Sequence, residues 1–232
     1  MARLKDRSLL SAGAAAAIVL LLSGCMTAHL EESRNTSTAI AAHEAVVLLA
    51  KPRVEGVGAE DEFMDCVSDK LGASGKIQVR PNDAFVDSMF PWLEPSTAPQ
   101  RPEGMARLLA RDVVAERVAE SGVRYIIWID GATRKTDSGG SLTCSLSPAG
   151  GGCLGFGWWE KESDYQAIVW DLATSRTAGS VSTDVTGTSA LVGVLIPLPF
   201  IARVQNAACS RLATQLGAFL HGEDPSAPAG KG

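Results

Sequence analysis

The sequence predicts an α/β (α+β) domain: a single mixed sheet of about five strands with helices packed on it, in the order β-α-β-α-β-β-β-α. Three observations support this prediction. The run EAVVLLA (residues 44–50) is short and continuously apolar, as expected for a strand covered on both faces. Three longer segments carry apolar residues at helical spacing, and two neighbouring segments near the carboxyl end alternate between apolar and polar residues.

Three main helices follow from apolar residues that recur every three or four positions. They span about residues 60–71, residues 105–121 and about residues 202–220. Acidic residues crowd the first turn of the first helix, and a glycine follows each of the first two, as is typical of helix ends. We therefore expect these helices to bury one apolar stripe each.

The remaining strands are predicted from alternation of apolar and polar residues. KIQVR (76–80) and VRYIIWID (123–130) are the second and third strands. DYQAIVWDL (164–172) and AGSVSTDVTG (178–187) are expected to pair antiparallel through a turn near residues 174–177. The Gly/Ser-rich, cysteine-containing stretch before this pair is expected to be a loop.

The amino terminus predicts a secretory signal over residues 1–24. Basic residues open the chain, and the apolar stretch at 9–22 is too short to span a bilayer comfortably. LSGC (22–25) resembles the bacterial lipobox, which implies cleavage before Cys25 and acylation of that cysteine with chains such as palmitate. More than one acyl chain gives stable attachment. The alternative is an ordinary signal peptide with an incidental cysteine.

This resemblance implies a place in the bacterial cell envelope. The cysteine is followed by Met26 rather than Asp, which in lipoproteins of this type implies sorting onward, so the chain is expected on the periplasmic face of the outer membrane. Residues 25–43 are polar and small and are expected to be a flexible tether, residues 44–221 the periplasmic domain, and residues 222–232 a disordered tail.

Composition narrows the partner classes. Without residues 1–24 the chain has 18 basic and 25 acidic residues, a formal charge of −7. Nucleic acid is therefore an unfavourable partner. About 200 residues suit a single domain with its own core. The expected partners are the membrane, through the lipid anchor, and either another envelope protein or a second copy of the chain.

The four cysteines that remain beside Cys25 are predicted to form two disulfides in the oxidising periplasm. Cys144 and Cys153 bracket the Pro/Gly-rich stretch SLSPAGGG, which can bring its ends together. That leaves Cys66 and Cys209, which border the apolar stripes of the first and last helices. A four-thiolate zinc site is the alternative, although the spacing contains no C-x-x-C pair.

The order of elements resembles the periplasmic α/β domain of the curli-secretion lipoproteins, the amino-terminal domain of TolB and the lipoprotein activators of penicillin-binding proteins. The resemblance rests on EAVVLLAKP, AERVAESGVRYIIWIDG and VWDLATSRTAGSVS, and covers roughly residues 44–220 in order. The cysteine loop and residues 190–202 are not part of the shared pattern. What the resemblance implies is a fold and a tendency to bind other proteins.

The segment ALVGVLIPLPFIA (190–202) is a candidate contact surface because it has no charged residue. Its two prolines argue against a regular helix or central strand. It is expected either to be an exposed loop that docks on a partner, a sister subunit or the membrane, or to be a connector buried under the last helix. The candidate contact residues are Leu195, Ile196, Leu198 and Phe200.

A second candidate surface is CLGFGWWEKESDY (153–165), which combines glycines with the pair Trp158 and Trp159. Such a composition suits a rigid aromatic binding surface. The alternative is that one tryptophan packs over the sheet while the glycines shape a bulge.

Catalytic signatures are weak, and we expect no catalytic residue, cofactor or metal ion. The histidines His29, His43 and His221 lie in or beside the expected tether, the domain edge and the tail, so a Ser/His/Asp triad lacks a well-placed base. The acidic residues near position 162 are typical of a solvated face. The sequence therefore favours an envelope lipoprotein that acts by protein contact as a scaffold or accessory factor. An oligomerising or membrane-perturbing lipoprotein is the alternative, and an enzyme the third.

Overall fold

A computed structural model describes residues 26–51, 58–94, 97–99, 101–147 and 150–223. Cys25, the predicted signal and most of the predicted tail lie outside these residues. The described chain contains six strands: β1 Met26–Arg34, β2 Ala45–Ala50, β3 Gln78–Arg80, β4 Val123–Ser147, β5 Gly150–Asp171 and β6 Arg176–Phe200. It contains five helices: α1 Asp61–Gly72, α2 Asn82–Ser88, α3 Pro102–Leu109, α4 Asp112–Ser121 and α5 Val204–Leu220.

The strands form one mixed sheet in the order β1-β6-β5-β4-β2-β3, which confirms the predicted fold class. β2 pairs in parallel with both β3 and β4, because α1 and then the α2–α4 segment connect these strands. β4, β5 and β6 are successive neighbours joined by short turns, so they run antiparallel. In the described chain β1 and β3 are the two edge strands.

Contacts divide the chain into two compact units. The first, here the α/β unit, comprises the described residues of 28–133, 163–184 and 205–223. The second, here the hairpin unit, comprises residues 26–27, the described part of 134–162, and 185–204. The long strands β4, β5 and β6 each contribute residues to both.

Within the α/β unit, helices cover both faces of the parallel strands. α1 and α5 share one face, where Cys66 and Cys209 form a disulfide with a Cα–Cα distance of 6.2 Å. α2, α3 and α4 cover the other face and bury a cluster that includes Val47, Leu49, Phe85, Met105, Leu108, Val114, Val118, Ile126, Trp128 and Trp170. The continuously apolar EAVVLLA run is therefore buried on both sides, as predicted.

The helix predicted over residues 105–121 is two helices. α3 ends at Leu109, and Arg111 adopts an extended conformation as the residue before α4. This break shifts the buried face by one position, so Val114 is buried and Val113 is 59% exposed. Gly122 ends α4 in the left-handed conformation with φ of 67°, as the predicted glycine cap requires.

The expectation of a flexible tether does not hold for residues 26–34, which form β1. Tertiary contacts stabilise this polar strand: the Arg34 guanidinium lies 4.4 Å from the centre of the Phe219 ring and hydrogen bonds the Phe219 carbonyl oxygen at 3.2 Å. Glu32 accepts hydrogen bonds from Arg34 and from Gln215 on α5. These partners are distant in sequence, and local composition does not indicate them.

The stretch expected to be a loop before residue 164 instead extends β4 and β5 into a long hairpin. Cys144 and Cys153 lie directly across the two strands and form a disulfide with a Cα–Cα distance of 4.0 Å, which confirms the predicted pairing. The indole of Trp158 covers Gly139, where a Cβ would lie 2.9 Å from Trp158 Nε1. Glycine at that position leaves room for the tryptophan across the strands.

Residues 190–200, expected to be a loop or connector, belong to β6 in the structure. The Ala202 amide donates a hydrogen bond to Ser189 Oγ at 3.0 Å, so the chain between these residues reverses direction. β1 begins opposite residue 187, so among the described residues it does not pair with the proline-containing part of β6. An edge position of this kind tolerates prolines, which cannot donate to a ladder.

Candidate functional site

A partly buried polar network in the α/β unit joins α1 to the middle of the sheet. The carboxylate of Glu60, the residue before α1, accepts hydrogen bonds from the Thr133 amide at 2.9 Å and from the Tyr165 hydroxyl. Thr133 Oγ1 lies 2.7 Å from Ser163 Oγ and 2.9 Å from the Tyr165 hydroxyl. Residues from a helix start and from two strands thus satisfy one another's hydrogen bonds.

The environment of Tyr165 makes it a hydrogen-bond donor rather than a base. Burial, together with the hydrogen bond to the Glu60 carboxylate, raises the pKa of Tyr165 from 10.0 to about 12. Its ring stacks on Phe63 with centroids 3.5 Å apart, and the residue is fully buried. The phenol therefore stays protonated at neutral pH, and the network works as a clamp that holds α1 on the sheet.

A second polar cluster lies at the amino end of β4. Arg124 Nη2 is 2.9 Å from Asp171 Oδ2, and Arg124 Nη1 is 3.9 Å from Glu44. Burial alone lowers the pKa of Arg124, but Asp171 and its other neighbours outweigh that effect and raise it above its ordinary value. The second Asp171 oxygen accepts from the amides of Ala173 and Thr174 and so closes the β5–β6 turn.

A cleft of about 510 Å³ lies at the carboxyl ends of β2 and β3, the usual place for a ligand in an open α/β sheet. Its charged lining consists of Asp61, Asp65, Arg80 and Asp83, all exposed to solvent. Such carboxylates are well hydrated, and within the described residues no group of three or more His, Cys, Asp or Glu is placed to hold a metal ion.

The histidines do not assemble a catalytic base in the part of the chain that the structure describes. His29 lies on β1 with its ring nitrogen 3.1 Å from Glu31, His43 precedes β2, and His221 follows α5. Within those residues no histidine is hydrogen-bonded to a serine hydroxyl. The described residues therefore show no Ser–His pair of the kind that a catalytic triad uses.

Among the described residues of the α/β unit, no helix packs on one half of a sheet face. Along β5 and β6, buried residues such as Tyr165 and Thr183 alternate with exposed or half-exposed polar ones. This alternation indicates a strand with one buried and one solvated face. The exposed polar side chains surround a shallow cleft of about 220 Å³. We call this surface the open face; it consists of His29, Glu31, Asp164, Ser182 and Asp184.

The hairpin unit differs from the rest of the chain in its charge. Its described charged residues occur only at 134–137, at 160–162 and at Arg203. The stretches 138–159 and 185–202, here the charge-free segments, contain none. Exposed apolar side chains concentrate in the same unit: Leu146 is 95% exposed, Leu154 74% and Phe156 48%.

The predicted contact residues fall on the hairpin unit. Trp158 and Trp159 are half-buried on β5, where Trp158 packs on Gly139. Leu195, Ile196, Leu198 and Phe200 lie on the carboxyl-terminal part of β6, and their side chains are outside what the structure describes. Sequence reasoning missed Leu146, Leu154 and Phe156, which an alternating pattern around the cysteines could have indicated.

No helix within the described residues is long and apolar enough to cross a membrane.

No protein-family model matches the chain, and no curated protein matches it in sequence. Two solved PelC dodecamers from Paraburkholderia phytofirmans are similar in structure. One, a single-residue variant, has 12% identity and a TM-score of 0.42 over 85% of this chain and 100% of that chain. The other has 10% identity and a TM-score of 0.40 over 84% and 98%.

The hypothetical protein CT253 from Chlamydia trachomatis has 11% identity and a TM-score of 0.34, covering 76% of this chain and 98% of its own. Identities and TM-scores this low transfer neither a function nor an assembly to the chain. The proposals below rest on this chain's own residues.

Proposed function

We propose that this chain is a lipid-anchored lipoprotein of the bacterial cell envelope, attached through Cys25 at the periplasmic face of the outer membrane. It acts by protein contact, as a scaffold or accessory factor. The lipobox-like LSGC supports the anchor. The open face of the α/β unit is the observation that carries the contact function.

The open face is suited to a protein partner because it is flat, solvated and bordered by a free strand edge. Its shallow cleft of about 220 Å³ is small for an enclosed ligand site. β1 is an edge strand in the described chain, so one row of its backbone groups is available to another strand.

Charge complementarity indicates the chemistry of that partner. Glu31, Asp164 and Asp184 give the open face a negative character, and its histidine, His29, is paired with Glu31. A protein that presents lysine or arginine to this face would be attracted and oriented by it. We therefore expect a basic segment of an envelope protein to bind here.

Crosslinking in envelopes of the native host tests the contact function. Reversing two charges on the open face, Glu31→Lys with Asp184→Lys, is expected to abolish a specific crosslinked band. The matched control, Glu116→Lys with Glu120→Lys, changes two exposed acids of α4 by the same total charge and should retain the band. Retention of the band in both variants, or its loss in both, contradicts the assignment.

The anchor has its own test. The substitution Cys25→Ser should abolish incorporation of labelled palmitate and release the chain from the membrane fraction. Serine has no sulfur atom to form the thioether that would hold the diacylglycerol. Membrane retention together with continued labelling would refute acylation at this residue.

A second candidate function, that of an oligomerising or membrane-perturbing lipoprotein, is favoured by a different observation. The charge-free segments bring exposed apolar side chains together in the hairpin unit, and large exposed apolar surfaces mark contact sites.

A further inference from the structure

The hairpin unit carries an abrupt change in charge along its strands. The charge-free segments 138–159 and 185–202 comprise forty residues. At the 20% charged fraction of the whole chain, forty residues would carry about eight charged side chains. Their complete absence sets this part of the molecule apart from a surface adapted to water.

The change occurs at the same level on β4 and β5. Cys144 and Cys153 lie directly across the two strands, and this register places Asp137 beside Glu160. Asp137 is therefore the last charged residue of β4 and Glu160 the first charged residue of β5. The residues between them carry no charge. Trp158 and Trp159 lie at this level, a placement that amphipathic indole rings favour where water meets lipid headgroups.

The amino end of β1 reaches the charge-free part of β6. A Cβ on Gly187 would lie 3.0 Å from Met26 Cγ, so Met26 lies beside Gly187 in the hairpin unit. Ser33 lies beside Gly179, so β1 and β6 run antiparallel. Followed from Arg34 back to Met26, β1 therefore runs in the same direction as β6 does on its way to residues 188–193.

This geometry leaves no tether between the acylated residue and the folded chain. Cys25 is bonded directly to Met26, and consecutive Cα atoms are about 3.8 Å apart. An acyl group on Cys25 would hold the start of β1, and with it the charge-free part of β6, at the surface of the bilayer.

We propose that the charge-free segments of the hairpin unit form a lipid-contacting surface that rests on the leaflet holding the acyl chains of Cys25. The inference rests on the acylation proposed above, and it assigns lipid as the binding partner of the apolar surface. The exposed side chains of Leu154 and Phe156 enter the interface, because both project from the same side of β5 as Trp158.

The unpaired edge of β4 limits how deeply the hairpin unit can enter the bilayer. β2 pairs with β4 only as far as Ile129, so among the described residues the β4 edge from 134 to 147 has no partner strand on that side. Unpaired backbone groups are excluded from the hydrocarbon core. A single copy therefore lies in the headgroup region, with its apolar side chains directed towards the acyl chains.

Vesicle binding tests the proposal on the full mature chain carrying Cys25→Ser, exported so that its disulfides form. This chain has no acyl group, so binding to uncharged phosphatidylcholine vesicles reports the protein surface alone. Leu154→Asp with Phe156→Asp is expected to lower the partition coefficient at least tenfold, because two apolar contacts are replaced by charges.

The matched control is Phe90→Asp with Val113→Asp, which changes two apolar residues exposed on the α/β unit and should leave the partition coefficient within twofold of the parent. Circular dichroism confirms that both variants are folded. Brominated lipid should quench the parent's fluorescence, and Trp158→Phe with Trp159→Phe should remove most of that quenching.

Three results would overturn the proposal: no binding of the parent to vesicles, equal losses in the test and control pairs, or light scattering that shows a dimer dissociated by the Leu154 and Phe156 substitutions. The last result would make a second copy the occupant. Failure of the proposed function would be detected by different experiments, namely palmitate labelling of Cys25 and crosslinking at the open face.

Discussion

Removing the Cys66–Cys209 disulfide by Cys66→Ala with Cys209→Ala is expected to lower the free energy of unfolding by about 5 kcal/mol. The bridge joins α1 to α5 across 143 residues of sequence. In the chain-entropy model, a closed loop of that length removes about 17 cal/mol/K from the unfolded chain, which is about 5 kcal/mol at 25 °C. Alanine fits at Cys209, which is fully buried, without adding a polar group.

The Cys144–Cys153 disulfide is the matched comparison because it closes only 9 residues. The same relation gives about 2.5 kcal/mol for Cys144→Ala with Cys153→Ala. Urea unfolding followed by tryptophan fluorescence measures both variants. With an m-value of about 2 kcal/mol/M, the long-loop variant should lose about 2.5 M in its midpoint and the short-loop variant about half of that.

The reasoning is refuted if the short-loop variant loses as much stability as the long-loop variant, or if the long-loop variant unfolds at the parent's urea midpoint. A change in m-value would show instead that the substitutions altered the compactness of the unfolded chain. Reduction of the parent with a strong thiol reductant should reproduce the sum of the two losses if the bridges act independently.

Three further predictions concern the α/β unit. Tyr165→Phe should lower the free energy of unfolding, measured in urea, by about 1–3 kcal/mol, because it leaves Oε2 of the Glu60 carboxylate without its tyrosine donor. Since the pKa of Tyr165 is raised to about 12, its stabilising effect should be complete below pH 10 and be lost as the pH rises from 10 to 12, which absorbance titration of the phenol can follow. Gly131→Ala should cost about 3 kcal/mol or more, because φ is 135° and a Cβ would overlap the opposite backbone, whereas Gly72→Ala, with its nearest atom at 3.7 Å, should change the urea midpoint little. Leu212→Ala should cost about 2–5 kcal/mol by creating a cavity under α5, and an unchanged thermal midpoint would contradict that burial.

Elements with a strong local signal were predicted well from the sequence. The apolar run of β2, the helical spacing of α1 and α5, and the alternation at the β5–β6 turn each follow from residues close together in the chain. The pairing of Cys66 with Cys209 was also predictable, because both cysteines border helix stripes that bury against the same sheet.

The elements that were missed depend on distant partners. β1 is polar and resembles a tether in composition, yet Arg34 and Glu32 are held by residues of α5. The hairpin of β4 and β5 is rich in glycine and serine, which favour loops, but each strand satisfies the other's backbone groups and a disulfide holds them together. The secondary-structure propensity of a segment has little influence on its conformation where pairing with a distant strand supplies its backbone hydrogen bonds.

The predicted contact residues also separate into features that the local sequence indicated and features that depended on tertiary structure. A charge-free run at 190–202 and a tryptophan pair were visible as composition. Their common membership of the hairpin unit, and the exposure of Leu154 and Phe156 beside them, required the strand register. The open face was not predicted at all, because its residues come from β1, β5 and β6, which are far apart in the sequence.

The sequence by itself determined the fold class and the two disulfide pairs, because the periodicity of apolar residues and the placement of cysteines beside them are local properties. Only the tertiary structure decided that β1 starts at Met26, directly after Cys25, and that the charge-free segments lie side by side. The physical reason is that a sheet brings together strands whose register is set by pairing between distant residues, and no single segment encodes that pairing.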